Sequence, residues 1–335
     1  MLTRFITWLA HATSPTNRFR WFNTLFILVF FSLPIIVLSA ISYTKIYGEL
    51  TNRAFARRQA IVRPVSIALE ERLDRIVNIG SSFAVHPQIR EAIFNKKWVE
   101  ANQILDIFKS VLNEPFVDRI FLADAEGTIR AADTPSLPDA VGKNPVLRDW
   151  YKGIVSTGKP YVSEIYRRSE EPQYNVVAVA TPIKDEKGAL AGAIILQIRL
   201  DHFLDWLKEI PIGEEGFIYV VDQRGKVVAH PKVNSQKDMV DFSNIPAIQK
   251  IKLGEYGVEI QQYGTSDKRE VVVAYEPTSR YKWGVILEQP SENAFALRYN
   301  TLRIILLVYT LIFLFNLLLV CLILRIFVHY QDHHN

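Results

Sequence analysis

The run Phe121-Leu-Ala-Asp124-Ala-Glu-Gly127-Thr-Ile129-Arg-Ala131 is repeated in character by Tyr219-Val-Val-Asp222-Gln-Arg-Gly225-Lys-Val227-Val-Ala229. Each opens on an aromatic residue and an apolar run, places Asp and Gly for a tight hairpin, and closes on alternating apolar residues. That is the pattern of strand, turn and strand. A second pair of landmarks lies downstream. Val176-Val-Ala-Val-Ala-Thr-Pro182 leads through Lys-Asp-Glu-Lys-Gly188 to Ala191-Gly-Ala-Ile-Ile-Leu-Gln197, and Val271-Val-Val-Ala-Tyr-Glu-Pro277 leads through Ser-Arg-Tyr-Lys to Trp283-Gly-Val-Ile-Leu-Glu-Gln289. Asp124 lies 58 residues before Pro182 and Asp222 lies 55 before Pro277. Two landmarks that agree in spacing mark an internal repeat. The sequence therefore predicts two tandem α+β modules, each an antiparallel sheet with a helix-containing insertion between its second and third strands.

Upstream of the first copy the period changes. Val62, Val65, Leu69, Leu73, Ile76 and Phe83 recur at helical spacing, with Glu70, Glu71, Arg72, Asp74 and Arg75 between them. This is one apolar stripe on a long amphipathic helix. Pro64 is expected to bend or restart it, because proline removes a backbone donor. A second helical stretch is expected from about 88 to 112. The stripe has two readings: core of this chain, or a seam that pairs with a second copy in a homodimer.

The outermost segments are apolar. Residues 23–43 and 304–324 each hold 21 residues without a charge, against roughly 20 needed to cross a bilayer core. The first exceeds the h-region of a signal sequence and is followed by a poor cleavage site, so it reads as an uncleaved anchor. Two spans put both termini on one side of the membrane and residues 44–300 on the other. Arg4, Arg18 and Arg20 precede the first span, while Lys45, Arg53, Arg57, Arg58 and Arg63 follow it. Long domains translocate largely regardless of charge, so cytoplasmic termini in the inner membrane are expected, with the central region in the periplasm or exterior. Residues 2–9 are either an interfacial helix or a frayed tail.

Composition closes several functional classes. Over 335 residues, 49% are hydrophobic and 22% charged, which excludes disorder. A net charge of +4, spread along the chain, gives no concentrated basic face, so nucleic acid is not an expected partner. Cys321, the single cysteine, rules out an intrachain disulfide and any two-thiolate zinc site. No nucleophile elbow, phosphate loop or zinc-protease helix is present, and neither catalysis nor a cofactor or metal is expected.

In this order, a span, a long helix, two sheet modules and a second span resemble the double Cache (dCache) sensor domains of bacterial chemoreceptors, histidine kinases and diguanylate cyclases. Further markers are Arg148-Asp-Trp150-Tyr151, the Gly158-Lys-Pro160-Tyr161 segment and His230-Pro231. The resemblance covers residues 45–298 and implies PAS-like modules. The expected divisions are a tail at 1–22, spans at 23–43 and 304–324, a helical segment at 44–113, a membrane-distal module at 114–208, a membrane-proximal module at 209–300 and a short tail at 325–335. It also implies that the distal module binds a small ligand and has no catalytic activity.

Arg148, Trp150 and Tyr151 suit a carboxylate on chemical grounds, a planar fork of donors between stiff aromatic walls. In amino-acid-binding members of the family this segment grips the carboxylate, a later tyrosine closes the pocket and acids hold the amine. Tyr166 falls at the later tyrosine, and Tyr161 lies in the segment between. The acids are missing: Arg168 and Gln197 stand where aspartate is expected, and Lys143 replaces a tyrosine. An ammonium beside Arg148 and Arg168 would be repelled. The expected ligand is therefore anionic, a mono- or dicarboxylate. The other reading makes Trp150 and Tyr151 core and both arginines solvated surface. With 11 residues after Leu324, the signal is expected to pass through the spans to a separate cytoplasmic or membrane partner. The alternatives are the sensory part of a receptor whose output lies elsewhere, or a scaffold that senses nothing.

Overall fold

The computed structural model describes residues 15–332 except 113, 135–139, 169–170, 234–238 and 264–268. Residues 2–9 lie outside the described residues. Two compact units emerge, 55–293 and a second made of 1–54 with 294–335.

Helix α1 (Pro15–Ala84) runs through Pro64 without a restart, so of the expected bend or restart the restart does not occur. The reason lies in the stripe: Val62, Val65, Leu69, Leu73 and Ile76 are all 6% exposed or less. Burying five such side chains at about 1.5–3 kcal/mol each outweighs the roughly 3 kcal/mol that an internal proline costs. The stripe is core of this chain and is not available as a seam for a second copy. The stretch expected at 88–112 is two helices, α2 (Pro87–Phe94) and α3 (Trp98–Val111). Between them Lys96 has φ 54°, a left-handed residue that ends α2.

The first sheet contains β1 (Val117–Asp124), β2 (Ile129–Ala132), β3 (Tyr161–Val162), β4 (Tyr166–Arg167), β5 (Asn175–Lys184) and β6 (Leu190–Arg199). Its order is β2-β1-β6-β5-β3, with β4 also on β5. Helix α4 (Asp149–Thr157) lies between β2 and β3, and α5 (Leu200–Phe203) follows β6. The second sheet contains β7 (Phe217–Val221), β8 (Val227–Ala229), β9 (Gly257–Tyr263), β10 (Arg269–Pro277) and β11 (Gly284–Pro290), with α6 (Pro246–Lys252) inserted before β9. Its order, β8-β7-β11-β10-β9, reproduces the first. Phe121 pairs with Ile195 in one sheet as Tyr219 pairs with Ile286 in the other. The α+β repeat read from the sequence is thus the architecture.

Each hairpin turns as its Asp and Gly require. Gly127 and Gly225 have φ 80° and 93°, a region costly for any residue with a Cβ. Asp124 accepts the Thr128 amide at 2.8 Å, and Asp222 accepts those of Arg224 and Lys226 at 2.9 Å. One face of both sheets, including Ile120, Leu196, Val220 and Leu287, forms a single core with the α1 stripe, Ile89 and Leu105. The opposite face of the first sheet is covered by α4, and that of the second by α6.

In the other unit, α1 up to Ala54 accompanies α8 (Ala296–Asp332), which follows the short α7 (Ser291–Ala294). Both long helices contain apolar windows long enough to cross a membrane, with mean hydropathy 1.8 and 2.8 and only 6% of each window buried. Ser42 Oγ and Tyr309 OH share a hydrogen bond of 2.9 Å, and Arg298 donates to Thr51 Oγ1 at 3.1 Å while stacking on Tyr47. Asn316 Oδ1 is buried and finds no hydrogen-bond partner among the described residues.

Candidate ligand-binding site

The face of the first sheet beneath α4 is built from small residues. Ala123, Ala178, Ala180 and Ala193 alternate with the bulky residues that fill the opposite core. A sheet faced with alanine leaves room under a covering helix. Helix α4 supplies the cover: Arg148 is its N-cap residue in extended conformation, Trp150 and Ile154 face the sheet, and Gly158 closes the helix at φ 61°. Gly153 admits Tyr161 so closely that a Cβ there would lie 2.3 Å from the ring.

Between α4 and the sheet is a cavity of about 70 Å³. Its walls are Phe121, Ile129, Pro145, Trp150 and Ile195, and its polar groups are Lys143, Arg148, Tyr166 and Gln197. Among the described residues, two cations face it and no carboxylate lines it. The Arg148 guanidinium lies 4.5 Å from the centre of the Tyr166 ring, a cation–π contact that holds both at the rim. Gln197 Nε2 donates to Tyr166 OH at 3.3 Å, while Gln197 Oε1 is buried without a hydrogen-bond partner among the described residues.

Of the seven residues expected at the site, Arg148, Trp150, Tyr166 and Gln197 meet here. Tyr151 does not line the cavity: it packs beneath Gly127 and donates its hydroxyl to Ala125 O at 2.8 Å, bracing the β1–β2 hairpin. Tyr161 fills the notch left by Gly153. Arg168, expected as a second cation in the cavity, is 2% exposed and pairs with Asp118 at 3.0 Å. It also donates to Glu171 O at 3.0 Å and stacks on Tyr174. Its charge is met by Asp118, which corrects the expectation. Burial and the Asp118 carboxylate push the Tyr174 hydroxyl up to about 12, so it remains a donor. The second cation at the cavity is instead Lys143, which the sequence had shown only as a departure from the family pattern.

The segments bearing Arg148 and Tyr166 are also tied to the second module. Glu164 N donates to Asp149 Oδ2 at 2.6 Å, and Ile165 N donates to the buried Asp222 Oδ2 at 2.9 Å. The Glu164 carboxylate takes Lys226 Nζ and Arg224 Nε at 3.0 Å each. Burial raises the pKa of both Asp149 and Asp222.

The corresponding face of the second sheet is filled. By strand register, Val273 stands at the place of Ala178, Tyr275 at Ala180, Tyr219 at Phe121 and Glu288 at Gln197. Tyr219 OH donates to Glu288 Oε1 at 2.7 Å, so that module carries its own internal bond where the first has an open polar atom. A larger cavity, about 560 Å³, lies between residues 200–216 and β7–β8. It is lined chiefly by Leu and Ile, and its polar groups are engaged: Asp201 with Arg199 at 2.6 Å, Lys208 with Asp205 at 2.5 Å, and His230 Nδ1 with Lys232 N at 3.0 Å. Convergent polar groups distinguish the smaller cavity as the candidate site.

Residues 51–297 match the family model dCache_1, the Cache domain. The chain is 27% identical over 209 residues to the methyl-accepting chemotaxis protein TlpB of Bacillus subtilis, covering 60% of this chain and 29% of that protein. The chain thus spans less than a third of that relative's length. The periplasmic sensory domain of the Campylobacter jejuni chemoreceptor Tlp1 superposes with TM-score 0.55 at 14% identity, covering 73% of this chain and 98% of that one. The ligand-binding domain of the Pseudomonas fluorescens chemoreceptor CtaA, in complex with L-serine, gives 0.51 at 19% identity, covering 71% and 97%.

Proposed function

The chain belongs to the Cache domain family, and from that premise we propose that it is a membrane-anchored extracytoplasmic sensor whose first module binds a small carboxylate and passes the signal through its membrane helices. The observation that supports the ligand class is the cavity lining: Lys143 and Arg148, a tyrosine, a glutamine and, among the described residues, no acid. A carboxylate gains charge-assisted hydrogen bonds there. An ammonium could donate to Gln197 Oε1 but meets two like charges. The small volume favours a ligand of a few heavy atoms. The expected orientation places both termini in the cytoplasm of an inner-membrane protein and residues 44–300 outside it.

Signal transmission follows from the same geometry. The ligand bears on Arg148 and Tyr166; Asp149, next to Arg148, accepts from Glu164 N, and Glu164 and Ile165, next to Tyr166, hold the second module's hairpin. Binding that favours one of two arrangements of this joint shifts the membrane-proximal half. A homodimer along outward faces of α1 and a cytoplasmic or membrane signalling partner complete the proposal.

The test is thermal stabilisation of the full chain in nanodiscs by acetate or propionate against ethylamine and glycine. Carboxylates are expected to raise the midpoint and amines to leave it unchanged. Arg148→Ala is expected to weaken carboxylate binding by 10–100-fold, corresponding to about 1.5–3 kcal/mol for a charged hydrogen bond. Stabilisation by ethylamine alone would overturn the reading.

A further inference from the structure

The two modules differ in the element that precedes the first hairpin and packs on it. In the first module that element is α3, 14 residues long, whose Ala101 and Leu105 are fully buried and whose Asn102 Oδ1 accepts from Ala132 N at 3.1 Å. In the second, β7 and β8 receive only α5, four residues, and the 3-10 helix Asp205–Glu209, five residues. The shorter cover leaves space over the core face of the hairpin, and that space is the cavity of about 560 Å³. Leu204, Leu207, Ile218 and Val228 form its floor, each 8% exposed or less, while Lys208 and Pro231 at its mouth are exposed. A volume of this size lies within the roughly 300–1,000 Å³ of small-molecule sites, which are mostly apolar with a few placed polar groups.

The polar groups set the ligand class. Asp201 is held through both oxygens by Arg199, at 3.2 and 2.6 Å, and Lys208 pairs with Asp205 at 2.5 Å. The cavity therefore presents no uncompensated charge among the described residues. His230 is different. Its ring is fixed among Phe217, Tyr219 and Phe242, and its Nδ1 accepts from Lys232 N at 3.0 Å. An accepting Nδ1 places the ring proton on Nε2. That N–H has no hydrogen-bond partner among the described residues, so the cavity offers apolar walls and one neutral donor.

We propose that this cavity is a second ligand site, which takes an uncharged, largely apolar molecule with one hydrogen-bond acceptor, an alkyl or aryl ketone being the simplest case. The acceptor meets His230 Nε2–H, and the apolar body lies on Leu204, Leu207, Ile218 and Val228. This does not rest on the carboxylate reading: the cavity is in the other module and its chemistry selects against charge, because a charged group here would lose its water without gaining a partner.

The experiment is photolabelling of the full chain in nanodiscs with benzophenone, an uncharged diaryl ketone. Its excited carbonyl takes a hydrogen atom from a neighbouring C–H bond and the two carbon radicals join, leaving an alcohol adduct that peptide mass mapping locates. Saturable adducts are expected between residues 200 and 233. They should be displaced by 2-nonanone, and at least tenfold less effectively by nonanoate or nonylamine. His230→Phe, which keeps the aromatic packing and removes the donor, is expected to weaken 2-nonanone about 3–10-fold, the worth of one neutral hydrogen bond. Adducts confined to the apolar spans, where the probe dissolves in lipid, overturn the inference. So does displacement by nonanoate or nonylamine as effective as by 2-nonanone, and so does unchanged 2-nonanone affinity in His230→Phe. Mapping and competition on the unmodified protein decide the question even where the variant fails to fold.

Discussion

Arg148 and Arg168 are the same kind of residue on the same module, yet the fold uses them differently. Arg148 lines the cavity over Tyr166, whereas Arg168 is buried against Asp118. The first was legible because the donor fork, Trp150 and Tyr151 lie together in the sequence. The second was misread because Asp118 is 50 residues away and meets Arg168 only across the folded sheet. Two other residues carry predictions. Gly153→Ala forces a Cβ into the Tyr161 ring and is expected to cost about 1–3 kcal/mol by overpacking, measurable by denaturant titration. His230 packs among Phe217, Tyr219 and Phe242. Burial first, and Lys232 second, hold its pKa down at about 4 against 6.5 in the unfolded chain. The folded state therefore binds fewer protons between those values. The stability contributed by the neutral ring is complete above pH 6.5 and is lost as pH falls toward 4. Relative to His230→Phe, the natural protein should lose on the order of 2 kcal/mol across that window. A pH-independent difference between the two would refute the assignment.

Among the elements, the two hairpins and the α1 stripe were readable because their signals are local: Asp and Gly at a turn, apolar residues one helical turn apart. The uninterrupted passage through Pro64 was not, since it depends on sheets folded from distant sequence. The joint between the modules was equally hidden. Asp222 reads as a turn residue, and its Oδ1 does accept turn amides, while its other oxygen reaches Ile165 N in the first module. Asp222→Ala strips all three amides of their acceptor. It is expected to destabilise the protein by about 2–3 kcal/mol and to speed hydrogen exchange at Ile165. Loss of exchange protection confined to the 222–226 hairpin would show that the bond between modules does not hold the first one.

For the whole molecule, the duplication was visible as matched spacing, and strand order in both sheets confirms it. Which copy is hollow was harder to see. The alanines at 178 and 180 against Val273 and Tyr275 are informative only once register aligns them. Dimerisation, if it runs along α1, must use faces away from the buried stripe, and Ile67 is 52% exposed there. In a Cys321→Ser background, Ile67→Cys is expected to form a disulfide-linked dimer on oxidation in membranes, and Leu253→Cys, 77% exposed on the second module, is not. Equal cross-linking at both sites would count against a seam along that helix.

The alanine-faced sheet has an engineering consequence. Since one scaffold occurs twice, with a void in one copy and solid packing in the other, trimming Val273 and Tyr275 to alanine and releasing Glu288 from Tyr219 is a direct route to excavating a matching chamber on that face of the second module. A chain altered in this way would carry two such chambers, the new one offering an acid where the first offers bases.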